Sequence, residues 1–508
     1  MKTYSKIMMI GALSGLLLTT GCESFIDVPV EGVLSDESAY KTESNAIEMV
    51  TGCYDAIHGN SWNIDFPMMF GDWCSDDSWK GGENASDQGE ALEVMYFYAG
   101  TNNKFVEYIW RVRWMGIYRC NNALQILPGI EMDAKLKERL IAEVKFLRGY
   151  QYFELVKQFG DLPKLTAPIS PAEAKVPRES KSVIYSEIIE KDLTEAAAVL
   201  PQNDGYDAKD VGRATRGAAL GFLGKAYLYQ KKYQEAYNTF KTVVSEGKYA
   251  LENDFLSNWD VDNENNIESV FELQEDGSQI YDEGAGLPTL MRSRADNGWG
   301  YNLPSTSLKN AFEPGDPRLK LTIIEEGDII EGAAYSMENV LPPKRTSYKH
   351  YIPKAKRVSN EWGKSNYNIR IYRYADLLLM YAEAAVEIQD AETALWALEQ
   401  VRGRARNLST DPDILPTVTT TDPTALTNAI RHERRVELAM EQTRFWDICR
   451  WGIAKQVLNE FVRFNENENT ATDKGDDKGN LFREGKHEVF AIPEKDCAAA
   501  GWDNNPGY

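Results

Sequence analysis

The stretch from Arg370 to Arg406, RIYRYADLLLMYAEAAVEIQDAETALWALEQVRGRAR, constrains the fold of this chain more than any other. Apolar or small side chains recur at helical spacing at Ile371, Ala375, Leu378, Ala382 and Ala385, and again at Ala394, Leu398, Val401 and Ala405 after a break at Gln389 and Asp390. So short a break folds the two halves into an antiparallel helical hairpin. Ala382 and Ala394, twelve residues apart, put small side chains where the two helices must approach closely. One such pair cannot bury its own apolar face, so the pattern has to recur.

It recurs from Leu220, where LGFLGKAYLYQKKYQEAYNTFKTVV carries Leu223, Gly224 and Tyr227 before its turn and Ala236, Phe240 and Val243 after it. Gly224 to Ala236 is again twelve residues. A third helix, Ala142 to Gly160, carries Leu147, Gly149 and Tyr152 in the same register, and its partner, Ser182 to Leu200, follows a proline-rich insertion. This is the tetratricopeptide (TPR) type of helix pair. The expected fold is mainly α: a TPR-like helical-repeat superhelix with an inserted irregular subdomain containing short strands. Stacked repeats mostly make surfaces for partners, which favours binding over catalysis.

The first residues, MKTYSKIMMIGALSGLLLTTGC, join Lys2 and Lys6 to an apolar run from Ile7 to Leu18 and then to Gly21 and Cys22. About 12 apolar residues are too few to cross a hydrocarbon core of roughly 30 Å, so residues 1–21 read as a secretion signal. A small residue before a cysteine resembles the lipobox of bacterial lipoproteins, with Thr19 where a large aliphatic residue is commonest, and implies acylation of Cys22. More than one acyl chain, at about 0.8 kcal/mol per buried methylene, anchors a protein stably. The five remaining cysteines, Cys53, Cys74, Cys120, Cys449 and Cys497, show no CxxC and no regular spacing. Buried thiols are expected, with room for one bridge such as Cys53 to Cys74.

The mature chain divides into an N-terminal region with TPR-type helices (22–251), an irregular inserted subdomain (252–365) and a C-terminal region with further helix pairs (366–508). A helix begins near Ser44, and a long one from about Asn103 to Leu127 carries Trp110, Trp114, Ile117 and Tyr118 as its apolar stripe. Ile267 to Leu273 and Glu488 to Ile492 read as strands, and Ile430 to Leu458 as another helix pair. Two stretches have no helical period. Ser61 to Asp87, SWNIDFPMMFGDWCSDDSWKGGENASD, is aromatic, glycine-rich and acidic, and the insert carries DNGWGYNLPSTSLKNAFEPGDPRLK from Asp296.

Aromatic rings beside polar groups on loops suit sugars, whose C–H faces pack on Trp or Tyr while their hydroxyls need hydrogen-bonding partners. The candidate ligand-binding residues are therefore Trp62, Trp73, Asp76 and Trp79 in the first irregular stretch, and Tyr281, Trp299, Tyr301 and Trp362 in the second. The alternative for each is local packing of its loop. A net charge of -22 disfavours nucleic acid and anionic bilayer surfaces as nonspecific partners.

Four stretches resemble signatures of the SusD/RagB family of surface lipoproteins: FLRGYQYFELVKQFGDLP (Phe146 to Pro163), RYADLLLMYAEA (Arg373 to Ala384), ERRVELAMEQTRFWDICRWG (Glu433 to Gly452), and FAIPEKDC with the terminal NNPGY (Phe490 to Tyr508). Gly298 to Gly300 followed by Gly315 to Arg318 fits as well. The resemblance implies a TPR-based superhelix and capture of a nutrient, usually a glycan, at the cell surface. It also implies a partner, a SusC-like TonB-dependent outer-membrane transporter, and a lipid-anchored location on the outer membrane.

Other readings carry less. Glycoside hydrolysis needs two carboxyls about 5 to 9.5 Å apart across the bond, which adjacent Asp76 and Asp77 do not predict. GxSxG, HExxH, Walker and GxGxxG motifs are absent, and the four histidines show no ligand spacing. No cofactor is expected. Asp260 to Glu268 alternates oxygen ligands as a calcium loop would, but has Asn265 where glycine is needed and Phe271 where the closing glutamate belongs; Thr472 to Asn480 is similar. Glu433, Glu437 and Glu441, with Arg434 and Arg435 among them and Arg444, Asp447 and Arg450 following, read as structural ion pairs. A transporter assembly subunit with little ligand affinity, or a peptide binder, remains the alternative function.

Overall fold

A computed structural model describes residues 41–58, 62–169, 173, 175–277, 284–358, 365–461 and 478–508. The signal segment, Cys22, Tyr281, Trp362 and most of Thr472 to Asn480 lie outside the described residues, as does the side chain of Trp62. The principal helices are α1 Glu43–His58, α2 Trp62–Met68, α3 Gly89–Met95, α4 Lys104–Ile126, α5 Ala134–Phe159, α6 Glu190–Val199, α7 Arg216–Tyr229, α8 Tyr233–Glu246, α9 Tyr374–Glu387, α10 Ala391–Arg406, α11 Pro423–Glu437 and α12 Arg444–Arg450. The strands used below are β1 Ser78–Gly81, β2 Ser269–Leu273, β3 Tyr301–Pro304, β4 Ile323–Glu325, β5 Arg345–Ser347 and β6 Ile369–Arg373. They pair two by two and antiparallel: β1 with β3, β2 with β6, and β4 with β5. No described helix is long and apolar enough to cross a membrane.

The repeat pairs form as their spacing requires. α7 packs on α8 and α9 on α10, and α8 lies against α9, so successive hairpins stack. Gly224 is needed at its position, since a Cβ there would stand 2.5 Å from the Phe240 ring. Ala382 and Ala394 are fully buried at the equivalent approach of α9 to α10. In the third pair α5 runs beside α6, with Gly149 facing Leu193. Caps start the long helices: Asn103 accepts hydrogen bonds from Phe105 N and Val106 N, and Asp133 from Leu136 N.

Several expectations change. Ile371 belongs to β6, because Ile369 to Arg373 pairs with β2 across an irregular register, so the helix starts only at Tyr374. Residues 430–458 contain the end of α11, then α12 and a third helix, Ala454–Glu460, after a turn in which Met440 and Gln442 take positive φ. Ser61 to Asp87 is not without helix, since it holds α2, a single turn at Phe70–Trp73, and β1. Tyr118 leaves the apolar stripe of α4 and is 52% exposed. Glu488 to Ile492 forms no strand. Asn504 exchanges hydrogen bonds with both backbone groups of Ile492, and Asn505 donates to the Phe159 and Phe490 carbonyls, so the terminal asparagines do what a neighbouring strand would do. All five described cysteines are free thiols, and Cys53, Cys74 and Cys120 are buried.

The insert is not a separate body. Phe271 of β2 packs edge-on against Phe146 and Phe222 of the repeats, and one apolar core runs from α1 to Ile492. Between insert and repeats lies a buried charge network. Glu437 of α11 accepts hydrogen bonds from Arg318, Arg373 and Arg404, and Glu433 from Arg318 and Arg402. Glu441 binds Arg373 and Lys349, and Glu268 binds Arg373 and Arg404. Burial alone would push the Glu437 carboxyl up, but Arg404, Arg373 and Arg318 together bring it down to about 2. Asp376, between Lys225 and Arg434, is also brought down to about 2 against its burial.

Carboxylates held below their unfolded values contribute stability that is complete above the unfolded pKa and is lost as pH falls through the folded one. For Glu437 and Asp376, chemical unfolding is therefore expected to show their contribution lost as pH falls between about 4.5 and 2, a decline that Glu437→Gln should make shallower. Glu437→Gln leaves three guanidinium groups short of a counter-charge and should cost about 3 to 5 kcal/mol at pH 7 in urea melts.

Candidate functional site

The two irregular aromatic stretches, more than 200 residues apart in sequence, are brought to one place. Trp79 of β1 stands opposite Leu303 of β3, and Gly81 opposite Tyr301. The backbone N–H of Gly286 donates to the Asp65 carboxylate of α2, and Ala285 pairs with Ser365, so the flanks of the segments bearing Tyr281 and Trp362 join the same cluster. Five of the eight candidate residues have described side chains, and four of those are buried.

Trp73 is fully buried, and its ring lies 6.3 Å from both Phe66 and Phe70. Trp79 is 2% exposed and covered by Phe461 at 5.0 Å. Tyr301 is fully buried, with Phe66 edge-on at 5.1 Å. None of these rings presents a face to a ligand. They were read as free because an aperiodic stretch offers no helix core, but their loops build a core of their own. Asp76 is likewise a tie: it binds Arg435 at 2.8 Å and Arg444 at 2.9 Å, and those cations outweigh burial and draw its carboxyl down to about 2. Asp77 binds Arg435 at 2.8 Å. Lys478, fully buried, donates to the carbonyls of Trp73, Ser75 and Ser78 at 2.6 to 2.7 Å and lies 5.0 Å from the Trp79 ring.

Trp299 alone of the five stays half-buried. Its backbone N–H donates to Thr289, and Gly298 passes so close to Arg292 that a Cβ would stand 2.1 Å from that carbonyl oxygen. Nearby, residues 82–88 form a polar loop that leads into α3. Asp87 accepts from Glu83 N at 2.8 Å and from Arg294 at 2.9 Å, while Lys80 donates to the carbonyls of Asn84 and Asp87. Gly82 is required here, since at φ 81° a Cβ would meet both the Asp87 carboxylate and the Tyr301 ring at 2.8 Å.

The end of this loop and the start of α3 form one wall of a cleft of about 430 Å³ whose other wall is the start of α4, with Gln88, Glu90, Lys104, Phe105, Glu107, Tyr108 and Arg111 lining it. Phe105 stacks on Phe66 at 5.0 Å, which ties the cleft to the buried aromatic cluster. Tyr108 is half-buried, and the exposed Arg111 guanidinium lies 5.1 Å from its ring. Tyr108, Lys104 and Arg111 escaped the sequence reading because α4 was judged by its apolar stripe. Their signal was an aromatic and a cation at i and i+3 on a different face.

The possible calcium loop is engaged otherwise. Lys356 binds both Asp260 oxygens at 2.6 and 2.7 Å and Asp262 at 2.8 Å. No cluster of three or more metal-binding side chains occurs among the described residues.

Residues 246–508 match the profile of the SusD family, and residues 33–228 match a profile described as starch-binding associating with outer membrane. The chain belongs to the SusD family. It is 26% identical over 468 residues to SusD-like protein P2 of Formosa agariphila, covering 87% of this chain and 90% of that one. Among solved SusD-like structures, a laminarin binding SusD-like protein superposes with a TM-score of 0.77 at 29% identity, over 92% of this chain and all of the other. Surface glycan-binding protein A from Bacteroides fluxus gives a TM-score of 0.76 at 25% identity, with the same coverage. The two solved relatives are named for binding, and the amino-terminal profile is described by association with the outer membrane.

If Asp76 is a structural tie, Asp76→Asn should lower unfolding stability by about 3 kcal/mol, because it leaves Arg444 buried without its partner. Urea melts read the loss directly, and a variant as stable as the parent would contradict the assignment.

Proposed function

We propose that the chain is a glycan-capturing lipoprotein, anchored through Cys22 on the outer face of the outer membrane, that passes oligosaccharide to a SusC-like TonB-dependent transporter without breaking a bond. One observation carries the capture step: loops from distant parts of the sequence are locked together by buried rings and ion pairs beside an open cleft that presents Tyr108, Arg111 and Lys104, with the half-buried Trp299 on the adjoining loop. A rigid support of this kind limits the ordering cost of binding a flexible sugar chain. The likeness over 92% of the chain to a laminarin binding protein supports a glycan as the cargo.

Capture without hydrolysis fits the carboxylates of the cluster. Asp76 is neutralised by two arginines. Asp72, pushed up to about 7 chiefly by burial, would have the affinity of a general acid, but it is fully buried and its oxygens accept from Asn302 and from Gln442 N, out of reach of a substrate.

Isothermal titration of the full chain in detergent against plant, host and microbial polysaccharides tests the reading. Binding to one glycan class, weakened about tenfold or more by Tyr108→Ala or Trp299→Ala with the fold intact, is expected. Failure to bind any member of the panel would move the chain to the role of a transporter assembly subunit or to a peptide cargo.

A further inference from the structure

The cleft between residues 82–90 and α4 differs from its surroundings in one respect. The other cations that border the loop cluster are occupied. Lys80 is taken up by backbone carbonyls, Arg294 by Asp87, Arg444 by Asp76, and Arg435 by Asp76 and Asp77. At the cleft itself, Lys104 binds Glu90 at 2.9 Å, and Glu107 is bound by Lys495 at 3.1 Å. Arg111 has no carboxylate partner among the described residues. It is exposed, and its guanidinium lies 5.1 Å from the centroid of the Tyr108 ring.

In a chain whose formal charge is -22, a guanidinium left without an acid at the mouth of a 430 Å³ cleft is a vacancy for an anion. A guanidinium can receive a carboxylate or a sulfate by two parallel hydrogen bonds, and Arg111 is exposed to do so. The geometry points to an acidic glycan as the ligand: a sugar bearing a carboxylate or a sulfate ester, its anionic group on Arg111 at the mouth of the cleft. This rests on the capture reading and narrows it.

The test is titration of the full chain in detergent with matched pairs of oligosaccharides. Oligogalacturonides are compared with their methyl esters, sulfated galactan oligosaccharides with their desulfated forms, and laminarin oligosaccharides serve as the neutral reference. The first pair reads a carboxylate and the second a sulfate. The expected result is binding of one anionic member, at least tenfold weaker for its uncharged counterpart, and a similar loss in Arg111→Ala. Arg111→Lys, which keeps the charge but not the fork, should fall between. Arg111 is exposed, so circular dichroism of Arg111→Ala should match the parent. Preference for a neutral glycan, or anionic binding that Arg111→Ala leaves unchanged, overturns this inference while the capture reading stands. Absence of binding to every compound counts against capture itself and removes both.

Discussion

The charged cluster around α11 is what the rest of the molecule depends on. Glu433, Arg434 and Glu437 lie on one helix, all with no more than 1% exposure, and almost none of their partners are on that helix. Arg318 comes from the insert, Arg373 from β6, Arg402 and Arg404 from α10, and Asp376 from α9. Burying so many charges gains little net energy over an apolar core, because desolvation offsets most of the attraction. The gain is in position. A guanidinium fork accepts only carboxylates in its plane, so each pair fixes an angle as well as a distance. An insert with only short strands of its own is thereby held in one orientation against the repeats.

The same helix reaches the loop cluster from its other side. Arg435, next to Arg434, binds both Asp76 and Asp77, and Arg444 at the start of α12 binds Asp76 again. The carbonyls of Asp76 and Asp77 accept from Ser305, just past β3, and Lys478 gathers three more carbonyls of the stretch. The acidic run therefore forms an anchor whose two ends are charge and backbone. What remains outward is the polar loop 82–88, the edge of Trp299 and the first turns of α4. The stretch that leads into this loop is held in place because its polar groups and charges are saturated.

The repeats were legible because their signal is local and redundant. A period, a small residue at a fixed interval and a short break all pointed to the same hairpin, and Gly224 against Phe240 is the contact that the interval implies. The limits came from signals with two readings. Ile371 fits a helical period through Ala375 and a strand period through Ile369, and only pairing with β2 chooses between them. Glu488 to Ile492 has strand composition, but its partner groups are the amides of Asn504 and Asn505, which no pattern along the segment reveals. The ion pairs of α11 were legible as structural, though their partners lie mostly outside the i, i+4 neighbours that the helix itself suggested.

The two aromatic stretches named as a candidate site come together in the fold, and four of the five candidate side chains described there are buried in its packing. Aromatic residues in an aperiodic stretch were assigned to a ligand because no helix face claimed them. A loop cluster of this size must exclude water from its own backbone, and Trp73, Trp79 and Tyr301 are the large side chains that do so. The rings and cations that stay outward are the ones that this task leaves over. Trp299 is held half outward by two glycines, and Tyr108 and Arg111 sit on a helix whose buried stripe is already filled by Ile109, Trp110 and Val112. A ring packed inside the cluster has no face for a sugar, whereas an exposed guanidinium without a carboxylate partner can still take one. Composition cannot separate the two cases, because the difference lies in which neighbours the fold supplies.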